Sequence, residues 1–171
     1  LILPNSEKAE SYGHFNLDPS KPVILLIGGS LGARTLNRSV MGELQRIAGE
    51  EIQLIWQSGK YYYDEAKEAL SKIDASNILL LPFIKEMNRA FQVADVIISR
   101  AGAGTISELC IVGKPVILVP SPNVAEDHQT SNAKALSTQN AAVLIPDGEA
   151  KEKLMGAALE LVKDPLRSSV L

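Results

Sequence analysis

The sequence predicts a doubly wound α/β domain, in which a parallel β-sheet is covered by helices on both faces. Short apolar runs alternate along the chain with stretches of helical periodicity, an order typical of α/β domains. The runs do not alternate polar and apolar residues, which indicates strands that are buried on both faces. Gly, Pro or polar residues bound each run, so tight loops are expected between the strands and the helices.

Six apolar runs are the predicted strands, namely Val23 to Ile27, Ile52 to Trp56, Ile78 to Leu81, Val96 to Ser99, Val116 to Val119 and Ala142 to Ile145. Helices are predicted where apolar residues recur at helical spacing, around Leu36 to Ile47, Ala66 to Ile73, Ala133 to Leu136 and Ala150 to Val162. A turn cluster with two prolines occupies residues 18–22, so residues 1–22 are expected to form an irregular lead-in from an interdomain segment. The ordered domain is expected to cover residues 23–164, followed by a tail at 165–171.

The composition is that of one soluble globular domain. The 171 residues include 17 Lys and Arg and 20 Asp and Glu, for a net charge of −3, and 46% are hydrophobic. No apolar run approaches the ~18 residues of a membrane-spanning helix, and the lack of a Lys/Arg-rich run argues against nucleic-acid binding. The single cysteine, Cys110, excludes a disulfide framework and fits a reducing, cytoplasmic setting. No metal site is predicted, because the sequence has no paired carboxylates and no Cys- or His-based cluster.

A glycine-rich loop follows the first predicted strand, at Gly28-Gly29-Ser30-Leu31-Gly32-Ala33-Arg34. Glycines let a ligand approach the backbone closely, and the N–H groups at the start of the next helix can bind phosphate. The loop matches neither the dinucleotide fingerprint nor the P-loop, because Ser30 and Ala33 occupy glycine positions and no Gly-Lys-Ser/Thr follows. A phosphate site and a simple tight turn are equally good interpretations of this loop.

A second glycine-containing loop, residues 99–108, leads from the fourth predicted strand into a helix. Its glycines and hydroxyls suit a diphosphate at a helix N-terminus. The segment from Thr105 to Glu108 also has the spacing of a capping box, in which Thr105 caps the helix and Glu108 bonds back to a backbone N–H. Spacing alone favours the capping box. If Glu108 instead faces the crevice, its carboxylate can accept both hydroxyls of a ribose.

Two further loops contain polar or aromatic residues after predicted strands. In residues 120–133, Asp127 is expected to cap a helix. A general-base role for the adjacent His128 is disfavoured, because the chain has no serine elbow. Hydrogen bonds to the hydroxyls of a polar ligand are the better interpretation.

In the loop from Pro82 to Met87, the pair Phe83 and Ile84 is predicted to be a core plug, that is, to pack into the hydrophobic core at the end of the strand. The alternative is a backbone N–H and C=O pair that reads the edge of a flat base.

Three of these segments together resemble, in order and spacing, the C-terminal half of the MurG-type family. These are the bacterial N-acetylglucosaminyltransferases that convert lipid I to lipid II in peptidoglycan synthesis. The segments are Leu26 to Asn37, Ala94 to Glu108 and Asp127 to Ala133. The resemblance extends from the first predicted strand to the last predicted helix, and it implies a Rossmann-like fold that forms the C-terminal half of a GT-B glycosyltransferase.

The resemblance implies a donor site for UDP-N-acetylglucosamine at the carboxyl edge of the sheet. It places Ser30 at the diphosphate, the backbone of Ile84 at uracil and Gln129 at the sugar hydroxyls. Diphosphate and ribose would be held by consecutive residues, namely Ala103, Gly104, Thr105, Ile106, Ser107 and Glu108. The match of the loop favours the ribose role of Glu108 over the capping box. Further donor contacts are expected from Gly29, Gly32, Arg100, Gly102 and His128.

The resemblance also implies that an N-terminal domain supplies the other parts of the active site. That domain would supply the catalytic base, the site for lipid I and the contact with the membrane surface. No catalytic residue is therefore assigned to this chain, which is expected to be inactive alone. Helix N-termini could stabilise the departing UDP without a metal ion or cofactor. The parent protein is expected to be peripheral, at the cytoplasmic side of the bacterial cell membrane.

Other classes of function stay open at this point. One is another UDP-sugar enzyme of the GT-B fold, such as a 2-epimerase, although epimerases need cleft carboxylates and histidines that are scarce here. Another is a non-catalytic nucleotide-binding module or an NAD-dependent domain. The broken glycine fingerprint argues against NAD, as does the lack of an acidic residue at the end of the second predicted strand, near Trp56 to Ser58.

Overall fold

A computed structural model describes residues 5–122 and 128–164 of the chain. Its strands are β1 (Val23–Ile27), β2 (Gln53–Gln57), β3 (Ile78–Leu81), β4 (Val96–Ser99), β5 (Val116–Leu118) and β6 (Val143–Leu144). Its helices are α1 (Asn5–His14), α2 (Arg34–Met41), α3 (Leu44–Ala48), α4 (Tyr63–Leu70), α5 (Met87–Val93), α6 (Ala103–Val112), α7 (His128–Ser137) and α8 (Asp147–Lys163).

The strands form one parallel sheet in the order β3-β2-β1-β4-β5-β6. The predicted doubly wound α/β fold is confirmed, and each predicted strand agrees with an observed one to within about one residue at either end. From β1 the chain builds outward to β3, and it then returns to place β4 on the other side of β1. Ligand crevices form at such a reversal, beside the carboxyl ends of the two central strands.

Both faces of the sheet are buried against helices. Ile24 and Leu26 of β1 belong to one hydrophobic cluster, whereas Val23, Leu25 and Ile27 belong to a second. Successive strand residues point to opposite faces, so each face of β1 packs against its own helical layer. Residues of α2 and α8 contribute to the first cluster, and residues of α1 and α5 contribute to the second. No helix in the described ranges has the length and hydropathy needed to cross a bilayer.

Helix α1 corrects the expectation that residues 1–22 are irregular. Tyr12 in this helix and Phe15 just after it are 7% and 8% exposed and join the second cluster. Ser11 donates a hydrogen bond to the side chain of Gln92 in α5. The prolines at 19 and 22 shape only the turn before β1, and the sequence prediction wrongly extended that turn signal upstream. The predicted tail at 165–171 lies outside the described residues.

The helical stretch predicted around Leu36 to Ile47 is divided into α2 and α3 at Gly42 and Glu43. The N–H of Gly42 bonds to the Arg38 carbonyl and closes α2. The apolar residues of both helices nevertheless stay in the core on the same face of the sheet. The hydrophobic spacing therefore predicts which side chains are buried, but it does not show this break.

A buried polar contact joins α2 to the end of β2. Asn37 is fully buried, and its Oδ1 accepts a 2.8 Å hydrogen bond from the indole Nε1 of Trp56. Its Nδ2 donates to the carbonyl oxygens of Ala33 and Ser58, at 3.1 and 2.8 Å. Since Ala33 ends the loop after β1 and Ser58 begins the loop after β2, Asn37 fixes the two loops relative to each other.

We expect Asn37→Leu to lower the free energy of unfolding by about 3 kcal/mol. The Trp56 indole and the Ser58 carbonyl would each lose a buried partner, at about 1–3 kcal/mol per group. Urea unfolding followed by the fluorescence of Trp56, the single tryptophan of the chain, measures this change. Ser39→Ala is the matched control in α2, because the buried Ser39 hydroxyl donates only to the Thr35 carbonyl, at 2.8 Å. Equal losses of stability in the two variants would contradict the role given to Asn37.

Candidate functional site

A cleft of about 710 Å³ opens at the carboxyl edge of the sheet, beside the reversal between β1 and β4. The doubly wound topology predicts a ligand site at this position. The cleft is lined by residues from the loops after β1, β2, β4 and β5 and from the N-terminal halves of α2, α7 and α8, which include the fifth residues of α2 and α8. These lining residues are Gly28, Gly32, Ala33, Arg34, Thr35, Arg38, Tyr62, Arg100, Ser121, Pro122, Gln129, Asp147 and Lys151.

The loop between β1 and α2 turns sharply beside the cleft. Gly29 and Gly32 have φ values of +80° and +96°, which side chains other than glycine rarely adopt. Ser30 between them is exposed. Helix α2 then begins at Arg34 without a side-chain cap, so its first N–H groups and the positive end of its dipole are available to an anion. The segment is thus a tight turn that also presents a phosphate-binding geometry.

Gly59, in the loop after β2, supports this turn from behind. A Cβ on Gly59 would overlap the backbone N and Cα of Gly32, so only glycine allows the two loops to approach this closely. The N–H of Lys60 then donates to the Ser30 carbonyl at 3.1 Å. Sequence reasoning missed Gly59, although a glycine just after a predicted strand was an available signal.

Helix α6 begins at Ala103 with Gly102 as its N-cap residue, and no side chain caps it. Thr105 is therefore the third residue of the helix, and the capping box predicted for Thr105 and Glu108 is wrong. The extended backbone of Gly102 starts the helix three residues earlier than the capping box requires. Glu108 lies more than one turn into the helix and is exposed, as are Ala103, Gly104 and Ser107, whereas Thr105 and Ile106 are half-buried.

Arg100 is held in a fixed position in the cleft wall. Its Nη1 donates to the carbonyl oxygens of Val119 and Pro120, both at 3.2 Å, and forms an ion pair with Asp147. The other carboxylate oxygen of Asp147 accepts a 2.9 Å hydrogen bond from the Thr35 hydroxyl. Both charged side chains are 19% exposed. This network connects the end of β4 to the first turns of α2 and α8, and sequence reasoning identified only its Arg100 member.

Gln129 bridges two loops at the start of α7. Its Oε1 accepts hydrogen bonds from the N–H groups of Ala101 and Ser121, at 3.2 and 2.9 Å. These contacts orient the carboxamide so that Nε2 is the group left for a ligand. His128 is exposed. The predicted helix cap at Asp127 lies outside the described residues.

Ile84 is 3% exposed and belongs to the second hydrophobic cluster, which confirms the core-plug interpretation of its side chain. Its backbone N–H donates to Oε1 of Gln57 at 3.0 Å. Of the N–H and C=O pair that could read a base, the N–H is therefore already engaged. Phe83, next to it, is 54% exposed at the sheet edge and is not a core residue.

The structure brings only some of the predicted site residues to the cleft wall. Gly32, Arg100 and Gln129 line it. Ser30 and Gly29 are exposed on the adjoining turn, and His128 is exposed at the start of α7. Gly102 and the residues from Ala103 to Glu108 form the start of α6.

The charges of the cleft wall favour an anionic ligand. Arg34, Arg38, Arg100 and Lys151 line the cleft together with one carboxylate, that of Asp147, and a cleft lined mainly by one sign of charge focuses its potential. Sequence reasoning missed Arg38 and Lys151. The four-residue spacing of Arg34 and Arg38 on a helix was the available signal. In the described part of the chain, no group of three or more His, Cys, Asp or Glu side chains could hold a metal ion.

Residues 23–169 match the family model of the glycosyltransferase family 28 C-terminal domain. The chain belongs to this family. The matched range contains all six strands of the sheet and every residue that lines the cleft. The cleft is therefore part of the family 28 domain itself.

Two curated relatives carry the name UDP-N-acetylglucosamine–N-acetylmuramyl-(pentapeptide) pyrophosphoryl-undecaprenol N-acetylglucosamine transferase. The protein of Parabacteroides distasonis is 50% identical over 166 residues, which cover 97% of this chain and 45% of that protein. The protein of Phocaeicola vulgatus is 54% identical over 159 residues, which cover 92% and 42%. The family 28 domain thus spans somewhat less than half the length of the curated relatives that it matches.

Solved structures of transferases share the fold. The crystal structure of Acinetobacter baumannii MurG has a TM-score of 0.70 and 31% sequence identity, over 87% of this chain and 44% of that one. The glycosyltransferase VinC in complex with dTDP has a TM-score of 0.67 at 18% identity, over 99% and 38%, and this likeness concerns the fold alone. The Rossmann-like fold expected for the C-terminal half of a GT-B glycosyltransferase is confirmed, as is the resemblance to the MurG-type family.

We expect Gly59→Ala to lower the free energy of unfolding by about 3 kcal/mol, because the new Cβ would overlap the backbone of Gly32 and Gly59 has a φ of +76°. Gly29→Ala is the matched control. Gly29 also has a positive φ, of +80°, but nothing lies within 4 Å of an added Cβ. This control should lose only about 1 kcal/mol. Urea unfolding measures both values, and equal losses would contradict the packing of the two loops.

Proposed function

We propose that this family 28 domain binds UDP-N-acetylglucosamine as the donor half of a transferase that adds N-acetylglucosamine to lipid I and forms lipid II in peptidoglycan synthesis. The observation that carries the proposal is the identity of 50% and 54% to relatives named for this transfer, over 97% and 92% of the chain. The compared region includes the loops that line the cleft.

The charges of the cleft support a role in holding a diphosphate. Transfer of the sugar leaves negative charge on the departing UDP, and donors that are already oriented stabilise such charge most effectively. Arg100 is oriented by two carbonyl oxygens and by Asp147. The start of α2, which no side chain caps, adds backbone N–H groups at the same carboxyl edge of the sheet as Arg100. The proposed stabilisation of UDP uses these fixed groups and requires no metal ion.

Two side chains suit the sugar parts of the donor. The exposed carboxylate of Glu108 can accept hydrogen bonds from two neighbouring ribose hydroxyls. Gln129 has its Oε1 engaged by backbone N–H groups, so its Nε2 is the group available to donate to a sugar hydroxyl. With Ser30 at the diphosphate, these residues form the donor site that we assign to this domain.

The remaining steps of the proposed reaction are assigned to the other half of the parent protein. The relatives are more than twice as long as the region that this chain matches. We assign the catalytic base, the binding of lipid I and contact with the cytoplasmic face of the bacterial membrane to that half, which makes the parent a peripheral membrane enzyme. The 171-residue chain is proposed to bind the donor without turning it over.

Calorimetric titration of the 171-residue chain tests the donor site. UDP-N-acetylglucosamine and UDP are expected to bind without added metal, whereas NAD is expected to give no heat. Glu108→Ala should weaken UDP binding by about tenfold, because a charge-assisted hydrogen bond is lost at an exposed position. Glu160→Ala is the matched control, since Glu160 is also an exposed helical glutamate but lies in the last turn of α8.

Two results would overturn the proposal. One is binding of NAD in place of the UDP ligands. The other is the absence of binding by any UDP ligand at millimolar concentration. Equal weakening by Glu108→Ala and Glu160→Ala, with both variants folded, would remove Glu108 from the donor site while leaving the ligand class intact.

A further inference from the structure

A second cavity, of about 610 Å³, lies at the amino edge of the sheet, on the opposite edge from the cleft. Pro22, Asp95 and Pro115 line it, and they directly precede β1, β4 and β5 respectively. Helix α1 and the proline turn at residues 18–22 form much of the remaining wall. Both precede the range matched by the family model, which begins at residue 23. This amino-edge cavity is therefore separate from the proposed donor site.

Three lysines from three separate elements give the amino-edge cavity a positive charge. Lys8 belongs to α1, Lys21 to the proline turn and Lys114 to the connection between α6 and β5. Asp95 is the one carboxylate among the lining residues of this cavity. Lys21 also pairs with Glu51 at 3.0 Å, but the Glu51 side chain is 87% exposed, where solvent weakens the pairing. Positive charge is therefore in excess at the cavity wall.

Lys114 is the lysine that the fold holds most firmly in this wall. Its Nζ donates to the carbonyl oxygen of Ala94 at 2.8 Å. Burial lowers the pKa of Lys114, and the charge of Lys8 lowers it further. The Asp95 carboxylate acts in the opposite direction without reversing the shift. The ammonium group therefore lies in a positive potential that the chain does not neutralise, and such a potential favours an anion.

The Tyr12 hydroxyl is a second polar group at the same cavity. Tyr12 is 7% exposed and lines the cavity, and its hydroxyl has no hydrogen bond to a residue that the structure describes. Every fully buried side-chain oxygen in the described ranges has a partner, so this hydroxyl must keep contact with solvent at the cavity. Burial and the Asp95 charge raise the pKa of Tyr12. The hydroxyl thus stays protonated near neutral pH and can donate a hydrogen bond.

We propose that the amino-edge cavity is an anion site that binds the phosphate group of a ligand. Lys114 and Tyr12 donate to the phosphate oxygens, and Lys8 and Lys21 contribute further positive charge. A phosphate group fits this wall because it carries about two negative charges and three acceptor oxygens near neutral pH. A carboxylate carries one charge and two oxygens. The phosphate can belong to a soluble compound or to a lipid headgroup, because both present the same group to the wall.

The test is a titration of the 171-residue chain with inorganic phosphate, followed by ¹H–¹⁵N NMR spectra. Each backbone amide reports its own surroundings, so the two candidate anion sites are measured separately. The signals of Val23 and Asp95 report the amino-edge cavity, and those of Gly29 and Gly32 report the cleft. Phosphate is expected to shift the Val23 and Asp95 signals in a saturable manner. Unmoved signals at Val23 and Asp95 overturn the proposal, whatever the cleft binds.

Three variants identify the groups that hold the phosphate. Lys114→Met keeps an unbranched side chain but removes the charge, and it should weaken binding at the Val23 signal about tenfold. Tyr12→Phe removes only the hydroxyl and should weaken it about fivefold. Lys72→Met is the matched control, because Lys72 is an exposed lysine that pairs with Glu68 outside the cavity. The control should leave the dissociation constant unchanged.

Equal weakening by Lys114→Met and Lys72→Met would show a general effect of net charge and would overturn the proposal. Unchanged binding in folded Tyr12→Phe and Lys114→Met would do the same. Tyr12→Phe is nearly isosteric, so it keeps the test decisive even if Lys114→Met fails to fold.

Sedimentation with vesicles distinguishes the two sources of the phosphate group. Binding to phosphatidylglycerol vesicles that Lys114→Met abolishes would identify a lipid headgroup as the ligand. Phosphate binding in solution without such vesicle binding would identify a soluble phosphate compound. Vesicle binding that Lys114→Met leaves unchanged takes place elsewhere on the chain and excludes the lipid source for this cavity.

Discussion

The close approach of two loops at the carboxyl edge is the constraint on which the rest of the site depends. The turn after β1 packs on the loop after β2 at Gly32 and Gly59, where neither position has room for a side chain. Beneath them, Asn37 hydrogen-bonds to Trp56 and to the Ser58 carbonyl. The backbone donors beside the cleft are therefore fixed by packing before any ligand arrives, which is the condition for strong electrostatic stabilisation of a bound anion.

The fold concentrates positive charge in a chain whose net charge is −3. Arg34, Arg38, Arg100 and Lys151 line one cleft, although they come from three separate parts of the sequence. Asp147 does not simply cancel this charge, because it orients Arg100 and bonds to the Thr35 hydroxyl as well. The net charge of the chain indicates how it interacts with partners that contact a large surface, such as nucleic acid. The electrostatic potential at the site of a small anion depends instead on which charges the fold brings together.

The sequence predicts the strands and the ligand-bearing edge because both leave local signals. Burial on both faces produces unbroken apolar runs, and close backbone approach requires glycine. The pairing of distant residues leaves no such signal. Neither the hydrogen bond from the Ile84 N–H to Gln57 nor the presence of Lys151 in the same cleft as Arg38 could therefore be predicted from spacing. A local motif can also be ambiguous. The spacing from Thr105 to Glu108 fits a capping box, yet the helix begins earlier, at Ala103.

The burial of the proposed donor contacts suggests how recognition is divided. The side chain of Arg100 is 19% exposed, so its hydrogen bonds form where competition from water is limited. Glu108 is exposed on α6, where water and salt weaken a charge-assisted bond. In the proposed donor site, recognition of the diphosphate is therefore built into this domain. We expect recognition of ribose by the exposed Glu108 to gain most if the other half of the parent protein excludes water from the cleft, which would couple donor binding to assembly of the complete active site.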